Sequence, residues 1–248
     1  RERARQRWTV EHVGTPRVVA AGTLLDTDAL TIGFARRFTG YKRPELVFRD
    51  PDRLAAILNS LNRPVQIVFA GKSHPADDIG KRHLQRVYRR ALDPLFGGRI
   101  AFIDDYDLHV AHFLVQGCDV WLNNPRKPLE ASGTSGMKAA MNGVLHMSIL
   151  DGWWDEAYRP GLGFAIGRRE QFPDEAFQDE VEGRLMYDVL EQEVIPAFYE
   201  RGPDDLPRRW ISMMKASIRD LGIVFNTNRM VYDYADRFYL PAGRRQAH

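Results

Sequence analysis

The chain has 248 residues, of which 44% are hydrophobic and 27% charged, enough to bury a full core and keep a soluble surface. Its 35 basic and 33 acidic side chains give a formal net charge of +2, which argues against a nucleic-acid or membrane-surface partner, since both need a concentrated positive field. A single cysteine, Cys118, excludes an internal disulfide framework and fits a reducing compartment, so we expect a cytoplasmic protein with no membrane anchor.

Short apolar runs alternate with segments of helical period, which is the pattern of βαβ units and a parallel sheet. Five strands are predicted, at residues 30–34, 65–70, 100–103, 120–122 and 144–149. Helices are predicted at residues 51–61, 76–92 and 110–116, in a short stretch after Thr134, and at residues 175–200, 207–221 and 229–238. The fold class is therefore α/β, a Rossmann-like doubly wound parallel sheet with C-terminal helices.

The first 28 residues do not fit this sheet, because they are charged and then small and apolar. We interpret residues 1–28 as a linker or an incoming helix from a missing N-terminal domain, and residues 29–248 as one domain. The sequence begins at Arg1 without a methionine, and we expect it to be a fragment of a longer protein.

The loop after the first predicted strand carries four cations within eight residues, Arg36, Arg37, Lys42 and Arg43. In an open α/β sheet, ligands bind beyond the carboxyl ends of the strands. Arginine offers a planar fork for phosphate oxygens and lysine a compact charge, so this loop predicts an anion site. A solvated basic turn is the structural alternative.

The loop after the fourth predicted strand, at residues 123–138, is more specific. Its glycines and small side chains let the backbone approach a ligand, and the helix that follows directs free N–H groups at an anion, which predicts a phosphate cradle. Glu130 can accept hydrogen bonds from hydroxyl groups such as those of a sugar. Lys138, one turn into the helix, is either an ordinary surface lysine or an amine that forms a Schiff base with an aldehyde cofactor.

The segment from Glu130 to Lys138, continuing through Asn142 and Gly143, resembles the pyridoxal-phosphate attachment motif of the α-glucan (glycogen, starch, maltodextrin) phosphorylases. Residues 37–42 resemble a second motif of that family, and the two stand in the right order almost a hundred residues apart. Residues 150–156 look like the shorter bacterial branch. By this resemblance the chain would be the C-terminal, cofactor-carrying domain of a GT-B glycosyltransferase.

The resemblance implies phosphorolysis: inorganic phosphate and a terminal α-1,4-linked glucose of a glucan would give glucose 1-phosphate. The residues implied to hold pyridoxal 5′-phosphate are Lys138, which would carry it covalently, with Thr134, Ser135, Arg36 and Tyr106. Those implied to bind the substrate phosphate are Arg37 and Lys42, helped by Tyr41, and those implied to bind the glucosyl unit are Glu130, Ser132 and Gly133. One departure is Asp107, which stands where the animal-type pattern has an arginine.

Two other functions compete with this reading. A nucleotide-sugar glycosyltransferase of the same architecture (glycogen or starch synthase-like) would use the basic pair for a diphosphate, but such enzymes often have a glutamate where this chain has Lys138. A non-enzymatic binding module or inert remnant is the other alternative, and we expect the chain alone to be inactive. No metal site is predicted from His109 and His112, and a homo-oligomer stays open.

Overall fold

The computed structural model describes residues 25–246 of the chain, so most of the predicted linker at residues 1–28 lies outside the described residues. Six parallel strands form one sheet in the order β3-β2-β1-β4-β5-β6. The strands are β1 Leu30–Ala35, β2 Val65–Ala70, β3 Ile100–Ile103, β4 Val120–Asn123, β5 Leu145–Ile149 and β6 Gly163–Ile166. The five predicted strands and the fold class are confirmed; β6 was not predicted.

Burial on both faces explains why these runs are strands. All six residues of β2 are buried, and so are all five of β5, because helices cover both sides of a doubly wound sheet. The pairing of β1 with β2 runs in register from Leu30 opposite Val65 to Ala35 opposite Ala70. The strands therefore end level with one another at the carboxyl edge of the sheet.

Helices connect the strands and complete the C-terminal third. They are α1 Pro51–Leu58, α2 Asp78–Ala91, α3 Leu108–Gly117, α4 Thr134–Met141, α5 Trp153–Ala157, α6 Glu175–Val189, α7 Ile195–Tyr199, α8 Arg208–Val224, α9 Thr227–Tyr234 and α10 Leu240–Gln246. A π-type turn at Leu190–Val194 joins α6 to α7, so the helix predicted at residues 175–200 is continuous. No helix among the described residues is long and apolar enough to span a membrane.

Two apolar clusters hold the layers together. In the larger one, Phe69 of β2 packs against Phe34 of β1 and Phe48, with ring centroids 5.4 and 5.6 Å apart. The second includes Trp153 and Trp154, both almost fully buried against helices α4 and α8. This tryptophan pair is therefore part of the core.

Strand order reverses between β1 and β4, which lie side by side at the centre of the sheet. The chain leaves β1 toward β2 on one side, and leaves β4 toward β5 on the other. Beyond their carboxyl ends the connecting segments diverge and open a crevice. Two segments frame this crevice: residues 36–43, called the first loop, and residues 124–133, called the second loop.

Candidate functional site

Arg36 turns inward at the start of the first loop. Its Nη2 donates a hydrogen bond to the carbonyl of Leu122, and its guanidinium carbon lies 4.5 Å from the centre of the Phe34 ring. The side chain is buried, and its Nε has no hydrogen-bond partner among the described residues. Burial lowers the pKa of Arg36 to about 10, while the nearby Glu130 carboxylate opposes this shift. Arg36 is thus a buried cation with an unused donor.

The two loops meet in an ion pair between Lys42 and Glu130. Only 12% of the Lys42 side chain and 7% of the Glu130 side chain are exposed, and Lys42 Nζ lies 4.7 Å from the centre of the Tyr41 ring. Arg37, in contrast, is exposed. Lys42 and Glu130 are therefore held close together at the crevice, with Arg37 free to move toward a ligand.

The segment after β5 holds the second loop in place through hydrogen bonds to its backbone. Asp151 accepts hydrogen bonds from the backbone N–H of Glu130, at 2.9 Å, and of Gly152, at 3.0 Å. The Ser132 carbonyl accepts a further one, at 2.8 Å, from the N–H of Trp153. Asp151 was not identified from the sequence, because nothing local marks a carboxylate that acts on a backbone twenty-one residues away.

Helix α4 begins directly after Gly133, whose φ of +90° lies in the left-handed region that glycine tolerates best. Thr134 is exposed at the first position of the helix, and Ser135 accepts a hydrogen bond at 3.2 Å from the indole N–H of Trp121. Gly136 packs on the buried ring of His146 from β5. The predicted cradle is therefore an actual helix N-terminus facing the crevice.

Lys138 lies one turn into α4 with an exposed side chain. Its neighbour Ala139 is buried in a small cluster against which Tyr106 packs. Burial raises the pKa of the Tyr106 hydroxyl, and the nearby charge of Arg36 opposes the shift. Tyr106, Arg36 and the first turns of α4 are thus grouped at one end of the crevice, although they come from three separate parts of the sequence.

Two charged residues noted in the sequence, Arg43 and Asp107, have structural roles. Arg43, one of the four cations of the first loop, is buried between the second loop and α6, where Asp179 and Glu182 hold it. It is not available to a ligand, so the anion site is left with three cations. Asp107 caps helix α3, its carboxylate accepting a hydrogen bond at 2.7 Å from the N–H of Val110.

Lys72 follows strand β2, and its backbone carbonyl accepts a hydrogen bond at 2.9 Å from the N–H of Phe38 in the first loop. Lys72 lies 3.2 Å from Asp105 in an exposed ion pair. Within residues 25–246, no group of three or more histidine, cysteine, aspartate or glutamate side chains could hold a metal ion.

The crevice fits a phosphorylated cofactor by the chemistry of its own groups. Among the described residues, the buried Nε–H of Arg36 has no hydrogen-bond partner, and it is a donor of the kind that phosphate oxygens accept. Native proteins rarely leave such groups unsatisfied unless water or a ligand completes them. Backbone N–H groups at the start of α4 add the donors that phosphate prefers. A lysine one turn away gives an amine for covalent attachment.

The fold and the site together define a Rossmann-like domain with a crevice lined by cations at its switch point. A family model described as "Carbohydrate phosphorylase" matches residues 20–156, which include every candidate site residue. The chain belongs to this carbohydrate phosphorylase family.

Curated relatives agree with the family model. The chain is similar to a glycogen phosphorylase of Aquifex aeolicus (strain VF5), with 54% identity over 239 residues, which cover 96% of this chain and 34% of the relative. A glycogen phosphorylase of Mycobacterium tuberculosis (strain ATCC 25618 / H37Rv) is 47% identical over 244 residues, 98% of this chain and 28% of the relative. A maltodextrin phosphorylase of Thermococcus litoralis is 48% identical over 218 residues, 88% of this chain and 26% of the relative. The chain thus spans about a third or less of the length of these relatives.

Proposed function

We propose that a longer enzyme containing this chain cleaves the terminal α-1,4-linked glucose of a glucan with inorganic phosphate and releases glucose 1-phosphate. The observation that carries the proposal is the Lys42–Glu130 ion pair beside the unsatisfied guanidinium of Arg36. The crevice contains three cations, Arg36, Arg37 and Lys42, and one carboxylate, that of Glu130. Its net charge is therefore positive, which suits phosphate dianions. The printed names of the relatives, glycogen and maltodextrin phosphorylases, favour the same reaction.

Arg37 and Lys42 would bind the substrate phosphate, with Tyr41 beside them. The exposed guanidinium of Arg37 can swing onto two phosphate oxygens, and Lys42 offers a point charge that is already positioned by Glu130. When phosphate enters, Lys42 can share its three donors between the carboxylate and the ligand. The two cations would thereby hold the nucleophile in place and neutralise its charge.

Glu130, Ser132 and Gly133 would bind the hydroxyl groups of the glucosyl unit. Glu130 is nearly buried and its backbone is fixed by Asp151, so its carboxylate is oriented before the sugar arrives. Gly133 has no side chain to block the approach of a sugar ring to the backbone. A carboxylate that accepts hydrogen bonds from the hydroxyls also stabilises the positive charge that develops on the sugar ring in the transition state.

Pyridoxal 5′-phosphate is the proposed cofactor, and when bound it supplies a second phosphate group that exchanges a proton with the substrate phosphate. Lys138 would hold it covalently, and Tyr106 would pack beside its ring. The N–H groups of Thr134 and Ser135, with the spare donor of Arg36, would bind its phosphate. The positive end of α4 and the charge of Arg36 would keep two phosphates close together in spite of their repulsion.

The reaction itself is a glycosyl transfer to phosphate. A phosphate P–OH donates its proton to O4 of the departing glucan as the C1–O4 bond breaks, and a phosphate oxygen forms the new bond to C1. Lys42 and Arg37 would hold that oxygen beside C1 throughout. Glu130 would keep the sugar ring oriented while the bond changes.

We further propose that residues 29–248 form the second domain of a GT-B enzyme, and that an N-terminal domain completes the glucan site. Sites at domain interfaces depend on both walls for positioning and for exclusion of water. The buried single thiol, Cys118, is compatible with a reducing cytoplasm, where we expect the enzyme to act, as a monomer or a homo-oligomer.

The test is phosphorolysis by the longer protein, expressed whole and supplied with pyridoxal phosphate. Incubation with a maltooligosaccharide and inorganic phosphate is expected to release glucose 1-phosphate, and Glu130→Gln is expected to reduce the rate strongly. A wild-type protein that saturates with pyridoxal phosphate yet forms no glucose 1-phosphate would contradict the proposal. The same mixture without phosphate is the control for hydrolysis.

A further inference from the structure

Arg43 follows Lys42 in the first loop, but its side chain faces the second loop and helix α6 instead of the crevice. Only 4% of the side chain is exposed. Its Nε donates to the carbonyl of Asn124 at 3.0 Å, and its Nη2 donates to the carbonyl of Pro125 at 2.8 Å. One guanidinium thus binds two successive carbonyls at the start of the second loop.

The bonds between the loops are reciprocal. The side-chain amide of Asn124 donates to the Arg43 carbonyl at 2.7 Å, and the backbone N–H of Arg126 donates to the Tyr41 carbonyl at 2.7 Å. The residues before and after Lys42 are therefore both tied to the second loop. These bonds hold the backbone on both sides of Lys42, which keeps its ammonium group beside Glu130.

Helix α6 holds this junction from the other side. Arg43 Nη1 lies 2.9 Å from Asp179, and its Nη2 lies 2.5 Å from Glu182. Asp179 also pairs at 2.9 Å with Arg126, which reaches Gln178 at 3.0 Å as well. Two carboxylates of one helix thus fix the arginine that joins the loops, and they balance its buried charge.

We propose that Arg43, held by Asp179 and Glu182, is a positioning residue that sets the place of Lys42 for the substrate phosphate. This inference rests on the function proposed above. Lysine cannot replace the arginine, since one ammonium group cannot bond to two carbonyls and Asp179 and also lie beside the Glu182 carboxylate, as the planar fork does. The effect should therefore fall on phosphate more than on the glucan, whose hydroxyls meet Glu130.

A second arginine, which pairs with carboxylates of α6 and of the turn after it, gives a matched control. Arg53 of α1 pairs with Asp188 at 2.6 Å and with Glu191 at 2.5 Å, toward the far end of α6 and in the turn that follows it. It has the same chemistry as Arg43, one guanidinium between two carboxylates. Within residues 25–246, its side chain pairs with these two carboxylates and lies over the Tyr187 ring, and neither loop of the crevice is among its partners, so its removal reports on support of the fold.

The experiment compares Arg43→Met, Arg43→Lys and Arg53→Met in the whole enzyme loaded with pyridoxal phosphate. Arg43→Met is expected to raise the KM for phosphate at least tenfold and the KM for glucan less than threefold, with a smaller rise for Arg43→Lys. Arg53→Met is expected to leave both constants within twofold of the wild type. Equal changes in both KM values for Arg43→Met, or a profile like that of Arg53→Met, would overturn the proposal.

Two additions keep the test decisive. Arg43→Met alone would leave the Glu182 carboxylate buried without its partner. The double variant Arg43→Met/Glu182→Gln removes this charge, and it must show the same selective rise in the KM for phosphate. Binding of inorganic phosphate, measured by calorimetry on wild type and variants, does not depend on turnover. If the wild type binds phosphate but has no phosphorylase activity, the proposed function fails, whereas unchanged phosphate binding by the Arg43 variants refutes the positioning role.

Discussion

Arg36 and Arg37 are adjacent in the sequence, yet they have opposite surroundings. Arg36 is buried and held by the Leu122 carbonyl, with one donor left over, while Arg37 is exposed at the crevice. A buried charged group with an unsatisfied donor lowers the stability of the folded state. A bound anion that accepts a hydrogen bond from this donor removes that cost. A buried, fixed cation suits a resident cofactor, and an exposed one suits a substrate that comes and goes.

This difference predicts separate effects of the two arginines. In the whole enzyme, Arg37→Ala should weaken the use of phosphate about ten- to a hundredfold, because one charge-assisted partner is worth about 1.5–3 kcal/mol. Its content of pyridoxal phosphate should stay near normal, whereas Arg36→Met should lower it. Kinetics in phosphate and cofactor absorbance measure the two effects. Equal loss of cofactor in both variants would reverse the assignment.

Asp119, which precedes β4, predicts a pH dependence of stability. Burial raises the pKa of its carboxyl to about 6, although the N–H of Thr31 donates to it at 2.8 Å. The unfolded value is near 3.9, so the folded protein binds the proton more tightly. Stability from this group is complete below about pH 4 and is lost as the pH rises through about 6, a change of about 3 kcal/mol at most.

Replacing the titrating group tests this sign. Asp119→Asn should gain stability over wild type as the pH rises from 4 to 7, in denaturant titrations at several pH values. The control Asp78→Asn should keep a nearly constant difference from wild type over this range, because Lys81 lowers the pKa of that exposed carboxyl and the group is already ionised in the folded protein. A constant difference between Asp119→Asn and wild type across this range would refute the raised pKa.

At the scale of elements, strand β5 packs against helix α4, with His146 lying close to Gly136. A methyl group at Gly136 would lie 2.5 Å from Cε1 of His146 and 2.9 Å from both ring nitrogens. The ring is enclosed by Trp153 and Trp154 at centroid distances of 5.2 and 4.8 Å, so it cannot move aside. Burial, with Arg36 adding to the effect, lowers the pKa of His146 to about 3, so the ring is neutral.

We therefore expect Gly136→Ala to push α4 away from the sheet and lower the affinity for pyridoxal phosphate. The double variant Gly136→Ala/His146→Ala should recover affinity, since the smaller side chain leaves room for the methyl group. Gly117→Ala in α3 is the control, because no described atom outside its chain neighbours and its own helix backbone lies within 4 Å of the added carbon. Fluorescence titration with the cofactor measures all three, and the absence of recovery in the double variant would contradict the steric account.

The elements that the sequence predicted share one property, a signal contained in their own residues. Strand β2 is a continuous apolar run and α2 has helical period, so both were identified. Strand β6 escaped prediction because it begins at a glycine and has small residues, Gly163 and Ala165, at two of its four positions, which weakens the apolar run. The roles of Arg43, Asp151 and His146 escaped for another reason: each depends on partners that are distant in the sequence.

At the scale of the whole molecule, the C-terminal helices carry a broad apolar surface. The exposed large side chains of α9, α10 and the turn between them are Met230, Val231, Tyr232, Tyr234, Phe238, Tyr239 and Leu240. Proteins rarely leave a contiguous apolar surface open to water. We expect it to be covered in an enzyme three times longer than this chain.

The isolated chain is accordingly expected to be a poor phosphorylase, even when it holds the cofactor, because half the walls of its site would be missing. Release of glucose 1-phosphate from a maltooligosaccharide should be compared with that of the longer enzyme at equal cofactor occupancy. Turnover by the chain should be at least a hundredfold lower, since positioning can account for several kcal/mol of a barrier. Comparable turnover would show that the acceptor site lies within these residues.

The central claim is that the crevice at the switch point holds pyridoxal phosphate on Lys138. Borohydride reduction of the loaded enzyme fixes a C=N linkage permanently, and peptide mass mapping then locates it. We predict the pyridoxyl mass on the peptide containing Met137 and Lys138, and its absence from a Lys138→Arg variant. The mass on Lys42 or Lys72, or no covalent mass on a cofactor-saturated enzyme, would contradict it.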